Sequence, residues 1–176
     1  MRLNLGAANT QIPGFTSVDL EHADIACDLR VFPWPFADAS AEAILASHVL
    51  EHLTLADARR FLDECARILR PGGCLALAVP DMDLFIEAWR TGDFAPLQGY
   101  AWQSLNTFMG GGQAEFRPAW RHNHMWNWSA LAWELQRVGL IPERVGFDTS
   151  ALGDVHTAQY RAISLYVDGF KEGAAE

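Results

Sequence analysis

The stretch from Thr54 to Val79 constrains the fold more than any other part of the sequence. Ala58, Phe61, Leu62, Cys65, Ile68 and Leu69 recur at the spacing of one helical face. Thr54, with Asp57 three positions on, resembles a capping box in which Asp takes the role usual for Glu or Gln. Pro71-Gly72-Gly73 is expected to stop the helix abruptly. Cys74 to Val79 then form an unbroken apolar run, as in a strand buried on both faces. Ala43 to Ala46 read as another buried strand ahead of the helix. Strand, helix, strand in that order implies a parallel sheet with a right-handed crossover, and hence an α/β protein.

The flanking segments extend the sheet. Arg2 to Leu5, Phe15 to Leu20 and Ile25 to Leu29 read as three short strands, ending in Gly6-Ala7-Ala8, Asp19-Leu20 and Asp28-Leu29. A loop, Phe32-Pro33-Trp34-Pro35-Phe36, follows. Beyond Pro80 the pattern loosens through Gly92, Gly99 and Gly110-Gly111-Gly112, and Asp81 with Asp83 is expected to cap a helix there. A last helix carries Leu131, Leu135 and Val138 on one side and stops at Gly139. Arg144 to Phe147 and Ala162 to Val167 are the expected closing strands. No repeat or linker interrupts the 176 residues, so one domain is expected.

Charge and cysteine content narrow the setting. The formal charge is −9 and no Lys/Arg cluster breaks it up, which argues against a nucleic-acid partner. Nothing approaches a membrane-spanning apolar run, and the opening MRLNLGAAN has no leader pattern. Cys27, Cys65 and Cys74 are odd in number and widely spaced, as buried thiols of a reducing compartment would be, so a cytoplasmic location is expected. Trp89, Trp102, Trp120, Trp126, Trp128 and Trp133 crowd the second half, where they either wall a pocket or pack an irregular cap.

Ligands of open α/β sheets bind at the carboxyl ends of the strands. Small residues there admit backbone close to a ligand. A carboxylate after the second strand can accept both hydroxyl protons of a ribose, and one after the third can read an adenine edge. Asp19 also has the plainer reading of a turn former.

The run LNLGAANTQIPGFTSVDL, DLRVFPWPFADASAEAILASHVLEHL and LDECARILRPGGCLALAVPDMD resembles the class I S-adenosylmethionine-dependent methyltransferases, closest to the short methyltransferase-domain proteins. The shared features are a Leu-Asn-Leu-Gly opening, Val-Asp and Asp-Leu strand ends, a Pro-Phe loop, Ser-His-Val-Leu-Glu-His, Arg-x-Leu-x-Pro-Gly-Gly and Val-Pro-Asp. They stand in order over Leu3 to Asp83. Val138-Gly139-Leu140 resembles the family's final helix end, with Leu140 in place of Phe. The resemblance implies a Rossmann-like sheet, mostly parallel with an antiparallel last strand. Residues 1–83 would be the cofactor-binding half, 84–128 an acceptor-site cap, and 129–176 the last helix and closing strands.

By the same resemblance, Gly6, Ala7 and Ala8 lie under the methionine part of S-adenosylmethionine and Asp19 holds the ribose hydroxyls. Leu20 packs on the adenine, Asp28 and Leu29 meet its edge, and Ser47 and His48 flank the amino acid and sulfonium. Glu51 and His52 are expected in a structural role at the strand-to-helix turn.

Two departures stand out. Gly6-Ala7-Ala8 replaces the usual Gly-Cys-Gly, and a methyl at Ala8 would crowd the cofactor if that residue adopts αL geometry. Only eight residues separate Gly6 from Phe15, and eight separate Asp19 from Asp28. These crossovers are too short for helices, leaving one sheet face thinly covered, which a second copy of the chain would bury.

His122 and His124, among the tryptophans, are the candidate general bases for an acceptor hydroxyl or amine. Their bland reading is one helix cap and one exposed ring. No metal site is expected: His122-x-His124 with Asp81 or Asp83 is a poor ligand set. A small-molecule or glycan hydroxyl is the expected acceptor. The alternative is a methyltransferase-like binding or scaffold module that does not catalyse. A nicotinamide dehydrogenase is disfavoured by the incomplete glycine fingerprint and an acid that comes too early.

Overall fold

The computed structural model describes residues 1–97, 121–150 and 161–173. Seven strands form one sheet: β1 (Arg2–Leu5), β2 (Thr16–Asp19), β3 (Ile25–Ala26), β4 (Ala41–Ser47), β5 (Leu69–Pro80), β6 (Leu140–Val145) and β7 (Ser164–Lys171). Their order is β3-β2-β1-β4-β5-β7-β6. The first five strands pair in parallel, and β7 runs antiparallel to both β5 and β6. The strand order reverses between β1 and β4, so the carboxyl ends of those strands form the ligand-binding crevice of such sheets.

Three helices are described: α1 (Leu55–Ile68), α2 (Met82–Thr91) and α3 (Trp128–Arg137). The apolar stripe of α1 puts Ala58, Phe61, Leu62 and Cys65 onto one face of the sheet. There they join Leu3, Leu5, Ile44, Leu75, Leu77 and, from α3, Leu131 and Leu135 in the main core. Arg59 and Arg137 converge on the buried Glu134 at 2.7 Å each, and Arg137 also reaches Asp63 at 2.7 Å, locking α1 to α3. Thr54 caps α1 by accepting from Asp57 N at 3.2 Å, while its hydroxyl donates to the Asp57 carboxylate at 2.8 Å. The acid's shorter side chain thus engages the hydroxyl, in place of the reach-back to the cap N–H that Glu makes in a capping box.

Several expected boundaries move. Pro71-Gly72-Gly73 does not terminate α1. The helix ends at Ile68, and the triplet lies inside β5, with Gly72 at φ +75° and a register shift against β4. β3 keeps only Ile25 and Ala26, because the ladder to β2 ends at Asp19↔Ala26. The closing strands shift to Leu140–Val145 and Ser164–Lys171. Helix α2 occupies part of the stretch where the pattern loosened, and Asp81 caps it by accepting from Asp83 N at 3.1 Å. The Gly110-Gly111-Gly112 triplet, Trp102 and Trp120 lie outside the described residues.

No helix is described in the first two crossovers, as their length implied. On the sheet face expected to be thinly covered, a small apolar cluster forms within the chain. Leu45, Ala76, Ala78 and Tyr166 are buried there, with Ile12, Phe15, Val145 and Phe147 packed against them. Among the described residues no helix is long and apolar enough to cross a membrane.

Candidate functional site

β1 ends in a tight turn whose backbone faces the next strand. Gly6 N and Ala7 N both donate to Val18 O, at 2.8 and 3.4 Å. Gly6 has φ +67°, and a Cβ there would stand 2.3 Å from Val49 Cγ2, so the position admits glycine alone without rearrangement. Ala7 is buried and Ala8 exposed. Ala8 adopts φ +47°, the geometry in which its methyl was expected to crowd a cofactor.

Asp19, at the end of β2, ties the turn together. Its Oδ2 accepts from Ala8 N at 2.7 Å and its Oδ1 from Leu20 N at 2.6 Å. A carboxylate offers about four acceptor positions, so each oxygen keeps one for a further donor. Leu20 beside it is 55% exposed, a large apolar side chain left in solvent at the lip of the crevice. The structure therefore brings Gly6, Ala7, Ala8, Asp19 and Leu20 to one place.

The third strand end differs. Asp28 is gripped by Arg30, accepting at Oδ1 from its backbone N and its Nε (3.0 and 2.9 Å) and at Oδ2 from its guanidinium (2.8 Å). The Arg30 side-chain hydrogen bonds, with the backbone bond next, hold the Asp28 carboxyl below its usual range. Leu29 turns inward and is 8% exposed, packed in the main core.

At the end of β4, His48 adopts φ +52° while its N donates to Ala78 O at 2.8 Å. Its Nδ1–H donates to Glu51 Oε1 at 3.0 Å, and its Nε2 shares a 2.9 Å hydrogen bond with Ser164 Oγ at the start of β7. Glu51 lies in a single helical turn, Leu50–His52, and is buried. Burial pushes its carboxyl up. The His48 hydrogen bond and the charges of His48, His52 and His122 outweigh that and hold it below the usual range.

The segment from Arg121 to Asn127 is strapped across this turn. Asn123 N and His124 N donate to Glu51 O at 2.7 and 3.2 Å, and Asn123 Nδ2 donates to His52 O at 2.7 Å. His52 Nδ1–H donates to Arg121 O at 3.2 Å. Farther along, Met82 N donates to Trp126 O at 2.9 Å, closing the strap against the end of β5.

The two candidate bases separate on this strap. The His122 ring meets the His52 ring edge-on at 5.1 Å, inside the Glu51 corner. His124 packs edge-on against Trp126 at 4.5 Å. It lines an open groove of about 530 Å³ with Leu55, Arg59, Asn127, Trp133 and Glu134. Burial pushes both imidazoles below their ordinary value. Neither histidine caps α3: Asn127 does so itself, accepting from Ala130 N at 2.9 Å. Asp81 and Asp83 are engaged elsewhere, with Arg144 and with Asn127 Nδ2. Sequence reasoning gave Glu51 no chemical role; the signal present was a charged residue within the apolar run Val49-Leu50-Glu51-His52-Leu53.

This sheet order, with β7 inserted antiparallel, is the Rossmann-like arrangement shared with solved methyltransferases. Residues 5–77 match the family model described as Methyltransferase domain. A relative in Mycolicibacterium smegmatis, named "Probable S-adenosylmethionine-dependent methyltransferase", is 32% identical over 92 residues, 52% of this chain and 31% of that protein. The chain thus spans about a third of the length of that relative. Among solved structures, it is similar to the 1,6-didemethyltoxoflavin-N1-methyltransferase of Burkholderia thailandensis, determined with 1,6-didemethyltoxoflavin and S-adenosylhomocysteine bound. The TM-score is 0.59 at 17% identity, covering 97% of this chain and 70% of that one. It is also similar to a SAM-dependent methyltransferase of Archaeoglobus fulgidus, with TM-score 0.59 at 12% identity, covering 96% and 85%.

Proposed function

We propose that this chain transfers the methyl group of S-adenosylmethionine to a small-molecule or glycan acceptor, at a hydroxyl. The observation that carries the reading is the Asp19 carboxylate, bracketed by Ala8 N and Leu20 N with one acceptor position left on each oxygen. Two vicinal hydroxyls of a ribose match that pair. Gly6 and Ala7 would lie beneath the amino-acid end of the cofactor, and Leu20 would cover one face of the adenine. Ser47 and His48, at the end of β4, would border the sulfonium. When bound, S-adenosylmethionine supplies an electrophilic methyl on a good leaving group. The chain's own task is alignment of the acceptor within about 3–3.5 Å, and removal of its proton. Of the two candidate bases, His122 sits by the carboxyl end of β4 beside Glu51, so the acceptor proton leaves through that corner. His124 belongs to the α1–α3 groove, which would receive distal parts of the acceptor.

The small-molecule acceptor draws support from the Burkholderia enzyme, whose structure holds one. The net charge of −9 opposes a polyanionic acceptor. A non-catalytic scaffold is not favoured, because the matched relatives are methyltransferases.

The test is calorimetry with S-adenosylmethionine and S-adenosylhomocysteine on the parent chain, Asp19→Ala and Ala8→Gly. Two charge-assisted hydrogen bonds are worth about 1.5–3 kcal/mol each, so Asp19→Ala should weaken binding at least about 100-fold. Ala8→Gly should tighten it. Absence of binding by the parent chain would overturn the proposal.

A further inference from the structure

The buried corner behind β4 holds more than a base. Glu51, His52 and His122 each offer one ligand atom, and these atoms lie within 4.8 Å of one another. Glu51 Oε1 is occupied by His48, but Oε2 is buried with no hydrogen-bond partner among the described residues. An ionised carboxylate oxygen left dry is costly unless a positive charge meets it. We infer that Glu51, His52 and His122 form a binding site for one divalent transition-metal ion of the zinc class.

The chemistry of the donors selects that class. Two imidazoles and a carboxylate suit zinc and its neighbours, whereas magnesium and calcium take oxygen ligands. Tetrahedral zinc with bonds of about 2.0–2.1 Å sets its ligands about 3.4 Å apart, so binding requires the three groups to draw together. The supporting shell is in place. His52 donates Nδ1–H to Arg121 O, which fixes the tautomer with its Nε2 lone pair outward. His48 donates Nδ1–H to the far oxygen of Glu51, orienting that carboxylate.

Three protein ligands leave the fourth position to water or to an acceptor oxygen, as in catalytic rather than structural zinc sites. The cation lowers the pKa of an oxygen bound there, and His122 then serves as its ligand in place of acting as a free base. That last role rests on the proposed methyl transfer; the site itself does not. It also differs from the grouping of His122 and His124 with Asp81 or Asp83, which the fold separates.

The test is titration of the metal-free chain with Zn²⁺ by calorimetry and with Co²⁺ by visible absorption, without cofactor or acceptor. One ion per chain is expected, with d–d bands of a four- or five-coordinate Co²⁺ centre. His122→Ala and His52→Ala should each weaken binding at least about ten-fold. Glu51→Gln, isosteric and so less disruptive of the fold, should weaken it too. His22→Ala removes an exposed histidine that is not among the three ligands and should change nothing. Binding unchanged in His122→Ala, or no binding by the parent chain whose circular dichroism shows it folded, would overturn the inference. Cofactor binding measured on the same preparations fails or succeeds independently, so the two proposals are separately refutable.

Discussion

Replacing Gly6 with alanine tests the turn on which the proposed cofactor site is built. The backbone there has φ +67°, and left-handed geometry costs an L-residue about 1–2 kcal/mol. The added Cβ would also stand 2.3 Å from Val49 Cγ2 and 3.4 Å from Cγ1. Val49 is β-branched and 9% exposed, so it cannot simply swing aside. Overpacking of this kind costs about 1–3 kcal/mol. The reduced freedom of the unfolded chain returns about 0.4–1 kcal/mol. The net loss is about 1–4.5 kcal/mol, which for a domain of this size lowers Tm by roughly 2–18 °C. Urea denaturation followed by tryptophan fluorescence gives the free energy. Val49→Ala combined with Gly6→Ala separates the two causes: the steric part should be recovered as a coupling of about 1–3 kcal/mol, and the backbone part should remain. A Gly6→Ala chain within 1 kcal/mol of the parent would refute the reasoning. A coupling of zero would refute the steric half alone.

Two further outcomes follow from groups outside the site. Arg67 holds the Pro-rich loop, donating to both Glu64 oxygens and to Phe36 O at 2.8 Å, and Glu64 Oε2 in turn accepts from Trp34 N at 2.8 Å. Arg67→Ala should cost about 2–4 kcal/mol in a denaturant titration, since it strands a largely buried carboxylate. The Arg67 side-chain hydrogen bonds hold the Glu64 pKa below its ordinary 4.5. Its stabilisation is therefore present above pH 4.5 and lost as pH falls through the lowered folded value, and Arg67→Ala should flatten that limb of the stability curve. For the thiols, burial pushes Cys74 up to about 12 and Cys65 well above the usual value. Iodoacetamide at pH 8 should leave both unmodified in the folded chain while labelling both in urea. Fast native labelling of either, read by mass spectrometry, would contradict that burial.

The parts of the fold that were legible in the sequence are those where one physical signal dominates. Helix α1 and the run Cys74 to Val79 declare themselves by period and by continuous apolarity, and both sit where expected. β6 starts at Leu140, ahead of the expected Arg144, and so includes Pro142. The strand is an edge whose described neighbour is β7, and an edge tolerates proline. Pro71-Gly72-Gly73 misled for a related reason: a bulged strand start and a helix stop use the same residues. At the candidate site, the positions of Gly6 and Asp19 were legible because both stand at strand ends, only thirteen residues apart. Asp28 was placed without its partner, although Arg30 stands two residues on. The Glu51 corner was illegible, because His122 and Ser164 reach it from 71 and 113 residues away, contacts that only the folded sheet creates.

The position of β7 also orders events in time. On a ribosome, β6 emerges with its hydrogen-bonding edge bare, since the strand that joins it to β5 has yet to be made. When Ser164–Lys171 arrives, it must insert between the two, and its terminal Lys171 ammonium then locks onto Ala66 O and Leu69 O, where α1 passes into β5, at 2.7 Å each. Until that insertion the apolar edge of β5 is an open template for another nascent chain. Pairing across the second half of the sheet therefore completes only after Lys171 has been made, and until then the bare edge is where association with another chain would start.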